Sequence, residues 1–269
     1  MPYKMIFTDL DDTLLNDNKK VSDIDKKAIF DVQKHGVKFI LASGRPTFAM
    51  KDLAQELELE KYGGYLLSFN GSIITDCKSG KNIFEAGLTP KDLHLMYDYS
   101  KKYNTHILTY HGDEIISETE SEYIDVEVGL TKMHHNVVPD FKKEVTYPAV
   151  KCMLLAEPSY LKEVEKKLKA ECGDRYTIAI SKPFFLEITK KDMDKGKSLV
   201  RLAEILNIPV DETIAVGDSF NDLPMLKTAG LAACVANAKD EIKDICGFIS
   251  KSNNDGGMAY LINTLILNR

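Results

Sequence analysis

Hydrophobic and polar positions alternate between two regimes along the chain. Tyr3–Thr8 (YKMIFT) is aromatic, apolar or β-branched and bounded by polar residues, which predicts a buried strand. Ser22–His35 follows with helical spacing: Ser22 is a natural N-cap, Ile24, Ala28, Ile29 and Val32 mark one face, and Gly36 stops it. Val37–Ala42 (VKFILA) reads as a second buried strand and Thr47–Leu59 as a helix. Nearly continuous apolar strands alternating with helices are the pattern of a parallel α/β sheet. Tyr65–Thr75 breaks the rhythm with an Asn70-Gly71 turn between two apolar runs, a hairpin signal.

Between about Phe84 and Lys190 the pattern changes. A helix over Pro90–Tyr103 leads into short strands at His106–Tyr110 and Glu114–Ser117, then an irregular polar stretch to Thr146. A strand (Val150–Ala156), a helix (Ser159–Glu171) and two strands (Tyr176–Ser181, Phe184–Thr189) complete this part. The βα rhythm returns at Lys195, with helix Lys197–Leu206, strand Thr213–Val216, helix Leu223–Ala229, strand Leu231–Val235 and helix Gly257–Leu267. The predicted architecture is α/β: a Rossmann-like parallel-sheet core from residues 1–84 and 191–269, interrupted by an α+β insert at 85–190.

Composition narrows the possibilities. A chain of 269 residues with 44% hydrophobic and 28% charged residues can bury a substantial core. Lys and Arg number 35 against 41 Asp and Glu, a net charge of −6 without a polybasic run, which disfavours nucleic-acid binding. The 5 cysteines are scattered and form no CxxC pair, so reduced thiols in a cytosol are expected rather than disulfides or zinc. MPYKMIF lacks the basic and long apolar segments of a signal peptide, and no apolar run is long enough for a bilayer. A cytoplasmic protein without a membrane partner is the expectation.

Three strands end in loops rich in reactive groups: Asp9 to Thr13, Ser43 to Arg45, and Gly217 to Asp222. Side chains two apart on a strand point the same way, so Asp9 and Asp11 can converge on one small volume. Two carboxylates held together repel, and the pair demands a shared proton or a hard cation such as Mg2+. In a doubly wound sheet ligands lie beyond the carboxyl ends of the strands, where segments far apart in sequence meet. Lys195 adds a positive charge where the α/β pattern resumes. The set suits phosphoryl transfer: an anionic nucleophile approaches a phosphate only if charge is neutralised, and donors stabilise the charge spreading over its oxygens.

The series Asp9-x-Asp11-x-Thr13, Ser43-Gly44-Arg45, Lys195 and Gly217-Asp218-x-x-Asn221-Asp222 resembles the four motifs of the haloacid dehalogenase superfamily. The insert, with FLEI before Lys195-Gly196, resembles the large cap of its Cof-type sugar-phosphatase branch. The resemblance implies a phosphomonoester hydrolase acting on small phosphorylated metabolites, with Asp9 as nucleophile and Asp11 as general acid and then base. It implies Mg2+ held by the Asp9 and Asp218 carboxylates and the Asp11 carbonyl, with Asp222 supporting that shell. Ser43, Lys195 and Asn221, with backbone N–H groups at Leu10 and Gly44, would hold the phosphoryl oxygens, and Arg45 would contact substrate or cap. Asp11 is expected to retain a proton. A homodimer is compatible with the resemblance. Asp12 stands where many relatives carry Gly, at a position that Asp tolerates in a left-handed turn.

The same chain offers other readings. Gly196-Lys197-Ser198 hints at a P-loop, but Lys191 occupies the place of its first glycine. His134-His135 has no metal-ligand partner at helix spacing and reads as polar loop. Glu187 is a candidate cap contact, and Phe184-Phe185 is expected to pack. Asp255-Gly256-Gly257 reads as a turn and helix start. A phosphosugar mutase would share the aspartyl-phosphate, and a non-catalytic phosphometabolite-binding module would not need a second, protonatable carboxylate.

Overall fold

Met5, Ile6 and Phe7 are all fully buried in the computed structural model, which describes residues 3–191 and 193–267. Ile6 faces one apolar cluster, while Met5 and Phe7 face another. A strand covered on both faces needs an unbroken apolar run, and YKMIFT supplies it. This strand, β1 (Met5–Thr8), lies in the middle of an eight-stranded sheet. Its companions are β2 (Lys38–Ala42), β3 (Tyr65–Ser68), β4 (Ile73–Asp76), β5 (Asn82–Glu85), and later β12 (Thr213–Gly217), β13 (Leu231–Cys234) and β14 (Phe248–Ile249). The order is β14-β13-β12-β1-β2-β3-β4-β5, parallel through β3 and antiparallel at β4 and β5. Helices Asp23–Lys34 and Gly257–Ile262 contribute to the first cluster, and helices Lys195–Ile205 and Leu223–Thr228 to the second.

The chain divides into two compact units, Met1–Glu85 with Met193–Arg269, and Ala86–Asp192. The second unit has its own six-stranded sheet. Its strands are β6 (His106–His111), β7 (Glu114–Ser117), β8 (His134–Val137), β9 (Lys151–Leu155), β10 (Tyr176–Lys182) and β11 (Phe185–Lys190), in the order β10-β11-β9-β6-β7-β8. On β9 the alternation is explicit: Cys152 and Leu154 join one cluster with helices Pro90–Lys102 and Pro158–Cys172, and Met153 and Leu155 join another with helix Glu122–Thr131. The α/β class and the inserted α+β unit are as expected.

Several elements differ from the sequence reading. The stretch expected to be irregular contains helix Glu122–Thr131 and strand β8. That helix (EYIDVEVGLT) is rich in β-branched residues, contains Gly129, and shows no clean apolar stripe, so periodicity hides it. His134 and His135 consequently lie on an edge strand rather than a loop, His135 Nε2 lying 2.7 Å from Ser117 Oγ. Strand β5 and the short β14 also escaped prediction, being brief and weakly patterned. Ile24 is 60% exposed, and its neighbour Asp25 is buried instead. The Asp25 carboxylate accepts from the Ala259 N–H (2.7 Å) and the Ser22 hydroxyl (2.6 Å), tying the first helix to the last. Helix Lys195–Ile205 begins two residues earlier than expected, with Asp194 as N-cap, so Lys195 belongs to its first turn.

Candidate active site

The site forms where β1, β2 and β12 end. Asp9 follows β1 directly, and its N–H donates to the Val216 carbonyl on β12 (2.9 Å), which carries the β-ladder one residue past the strand. The Leu10 carbonyl then accepts from the N–H groups of Leu14 (3.1 Å) and Leu15 (2.8 Å), curling the chain into a tight loop. Asp12 takes the left-handed conformation, φ +60°, within this loop. Its carbonyl accepts from Asn237 Nδ2 (2.7 Å) and its carboxylate faces Lys19 at 3.4 Å. Thr13 closes the loop across to the neighbouring strand, its hydroxyl donating to Asp218 Oδ1 (2.8 Å).

Lys195 is completely buried, and its ammonium donates to Asp9 Oδ1 (2.5 Å) and Asp222 Oδ1 (2.6 Å). The other Asp222 oxygen accepts from the N–H groups of Asp218 (3.1 Å) and Ser219 (3.2 Å). Asp222 is thus saturated by protein donors and braces the loop that carries Asp218. This tuck requires Gly217, because a Cβ there would lie 2.5 Å from the Asp222 side chain. Asp9, Asp218 and Asp222 bring oxygens within 4.8 Å of one another, a hard-oxygen donor set that suits Mg2+. Asp9 and Asp218 are the two with carboxylate capacity to spare.

Electrostatics distinguishes the carboxyls. Burial pushes the Asp9 carboxyl up, to about 7, against the pull of Lys195 and with added push from Asp222 and Asp218. Asp218 is likewise raised by burial, offset by the Thr13 hydroxyl. Burial also acts against the Lys195 ammonium, but Asp9 and Asp222 outweigh it and hold the group protonated. Asp11 behaves oppositely. Arg45 grips it with two hydrogen bonds, Nε to Oδ2 (2.9 Å) and Nη2 to Oδ1 (2.6 Å), and Lys19 lies at 3.3 Å. Partial burial is overcome by these two cations, and the Asp11 carboxyl sits below its ordinary range. These cationic neighbours favour the ionised form of Asp11, opposite to the protonated form expected of it.

The Ser43–Arg45 loop is fixed by the next hairpin. The Ser43 N–H donates to the Leu67 carbonyl (2.8 Å), and the Ser43 hydroxyl accepts from the Arg45 N–H (3.1 Å). Above the carboxylates lies a cavity of about 330 Å³. Asp9, Asp11 and Asp12 line it from the first loop, Ser43, Gly44 and Arg45 from the second, and Asp218, Ser219 and Asn221 from the third. Of the residues expected here, Leu10, Lys195 and Asp222 stand behind this lining, all three fully buried. Sequence reasoning missed Lys19 and Asn237, single polar residues in unpatterned loops that carry no signal of their own. Glu187 belongs to the second unit, where it accepts from Lys151 Nζ (3.0 Å) and the Ser181 hydroxyl (2.9 Å).

Known proteins match nearly the whole chain. The family model described as haloacid dehalogenase-like hydrolase matches residues 6–262. YxeH of Bacillus subtilis is 30% identical, the match covering 98% of this chain and 99% of that protein. YcsE of the same organism, a 5-amino-6-(5-phospho-D-ribitylamino)uracil phosphatase, is 28% identical over 98% of this chain and 96% of its own. The crystal structure of a haloacid dehalogenase-like hydrolase from Bacteroides thetaiotaomicron superposes with a TM-score of 0.85 at 33% identity, covering 98% of this chain and 100% of that one. With the family model matching residues 6–262 and a relative 30% identical over nearly its full length, the chain is an enzyme of the haloacid dehalogenase-like hydrolase family.

Proposed function

We propose that the protein is a Mg2+-dependent phosphomonoesterase of the cytosol, acting on small phosphorylated metabolites, with sugar and polyol phosphates foremost. The observation that carries this reading is the convergence of Asp9 and Asp218 with the buried Lys195 ammonium beneath a cavity rimmed by Ser43, Gly44, Arg45 and Asn221. Bound between Asp9 and Asp218, Mg2+ would supply charge neutralisation for the phosphoryl group.

Asp9 attacks phosphorus as the bond to the leaving alcohol breaks, giving an aspartyl-phosphate. Lys195, held at 2.5 Å from Asp9, favours the ionised nucleophile against burial and offsets the incoming negative charge. Asp11 protonates the departing alkoxide, then takes a proton from the water that attacks the aspartyl-phosphate and restores Asp9. An incoming phosphoryl group competes with Asp11 for Arg45. As the guanidinium turns to the phosphoryl oxygens, the Asp11 carboxyl loses its two hydrogen bonds from Arg45, which shifts it toward the protonated form that can donate. The inserted unit is proposed to discriminate among leaving groups. The polyol class draws support from YcsE, whose named substrate carries a phosphorylated ribityl chain.

The test is phosphate release from a panel of phosphomonoesters, with Mg2+ or with EDTA, comparing wild type with Asp9→Asn. Release that needs Mg2+ and vanishes in Asp9→Asn is the expected result. Full turnover in Asp9→Asn would overturn the nucleophile assignment, and absence of release from every ester would overturn hydrolysis itself.

A further inference from the structure

The corner between β3 and β4 is the most strained segment near the cavity. Phe69, Asn70 and Gly71 all have left-handed backbone, φ +50°, +55° and +93°. Glycine adopts this freely and asparagine with some ease, but a phenylalanine there is an outlier that its surroundings must enforce. The enforcing contacts run in two directions. The Phe69 N–H donates to the Arg45 carbonyl (3.0 Å) and the Asn70 N–H to the Ser43 carbonyl (2.9 Å), locking the corner to the loop that rims the cavity. The Ser198 hydroxyl donates to the Gly71 carbonyl (2.5 Å), locking it to the helix that begins with Lys195. A two-residue Asn-Gly hairpin would need neither anchor. Strain maintained in this way is characteristic of segments that place a group for function.

The group it places is the Asn70 carboxamide. A Cβ on Gly44 would lie 3.3 Å from Asn70 Oδ1 and 3.4 Å from Nδ2, so the amide lies directly against Gly44, which itself lines the cavity. Among the described residues, no hydrogen-bond partner engages this exposed side chain. A carboxamide offers a phosphoryl dianion only its N–H side, whereas alcohol hydroxyls can use both its donor and its acceptor.

We propose that Asn70 is a specificity-determining residue whose carboxamide hydrogen-bonds hydroxyl groups of the leaving alcohol beside Gly44, favouring sugar and polyol phosphates over esters without hydroxyls. This rests on the phosphatase reading above. Asn70→Gly tests it cleanly, because glycine keeps the left-handed corner while deleting the amide. The measurement is the ratio of kcat/KM for the best sugar or polyol phosphate of the panel to that for p-nitrophenyl phosphate, a ratio independent of how much protein is folded. Loss of one uncharged hydrogen bond predicts a fall of about five- to tenfold in this ratio. Asn70→Ala, although strained, is expected to show the same ratio. An unaltered ratio, or equal losses on both esters, overturns the role of Asn70 and leaves the phosphatase reading intact. A wild type that cleaves only p-nitrophenyl phosphate overturns the substrate class and this inference with it. One that cleaves neither ester overturns the phosphatase reading as well.

Discussion

Lys195 stands between two carboxylates in a space from which water is excluded, and the arrangement holds only while all three are present. Replacing it with Met leaves Asp9 and Asp222 buried without their cation, and breaking a buried ion pair this way costs about 3–5 kcal/mol. Lys195→Met is therefore expected to lose stability in urea denaturation as well as turnover; a variant as stable as wild type would show that the ammonium is dispensable for folding. Arg45 allows a sharper test. It holds the Asp11 carboxyl low and lines the cavity, so Arg45→Gln is predicted to raise KM for phosphomonoesters several-fold, and an unchanged KM would remove Arg45 from the phosphoryl site.

At the scale of elements, the second unit is secured by caps that are visible in the sequence. Helix Pro90–Lys102 starts with a capping box, the Thr89 hydroxyl accepting from the Asp92 N–H while Asp92 accepts from the Thr89 N–H. Asp92 also accepts from the Tyr176 hydroxyl (2.5 Å) on β10. Burial works against this carboxyl, but the Tyr176 and Thr89 hydrogen bonds prevail and hold it down to about 2. A carboxyl depressed on folding adds stability above its unfolded pKa of 3.8, and that contribution is lost as pH falls through about 2. Thr89→Ala is expected to cost about 1 kcal/mol, measured by chemical denaturation, with no change in kcat. Such local signals made most helices and strands legible: Ser22 as a cap, Gly36 as a stop, the apolar runs of β1 and β2. Helix Glu122–Thr131 was not legible, since residues such as Ile124 are placed by packing against the sheet and not by a periodic stripe. Asp25 illustrates the same limit, a polar residue drawn inside because it caps a helix more than two hundred positions away.

For the whole molecule, Asp9 couples cation binding to pH. A carboxyl whose pKa is lifted by folding favours the folded state most below 3.8, and this contribution is lost as pH rises toward about 7. Mg2+ favours the ionised form, so the rise in unfolding temperature on adding Mg2+ should grow from about pH 5 to about pH 8. A gain independent of pH would place the ion away from Asp9. Because the two units have separate cores, Mg2+ is also expected to slow hydrogen exchange in Met1–Glu85 and Met193–Arg269 more than in Ala86–Asp192. Among the described residues no helix is long and apolar enough to cross a membrane.

By itself the sequence determined the α/β class, the inserted α+β segment and the identity of the reactive loops. Each of these follows from local periodicity or from a short ordered motif. The tertiary structure decided what those loops do to one another. It put Lys195 against Asp9 across a sequence separation of 186, gave Asp11 a cationic partner where a proton was expected, and set the Asn70 amide against Gly44. These are matters of distance and burial between segments remote in sequence. Charge and desolvation act through space, so no reading of spacing along the chain could supply them.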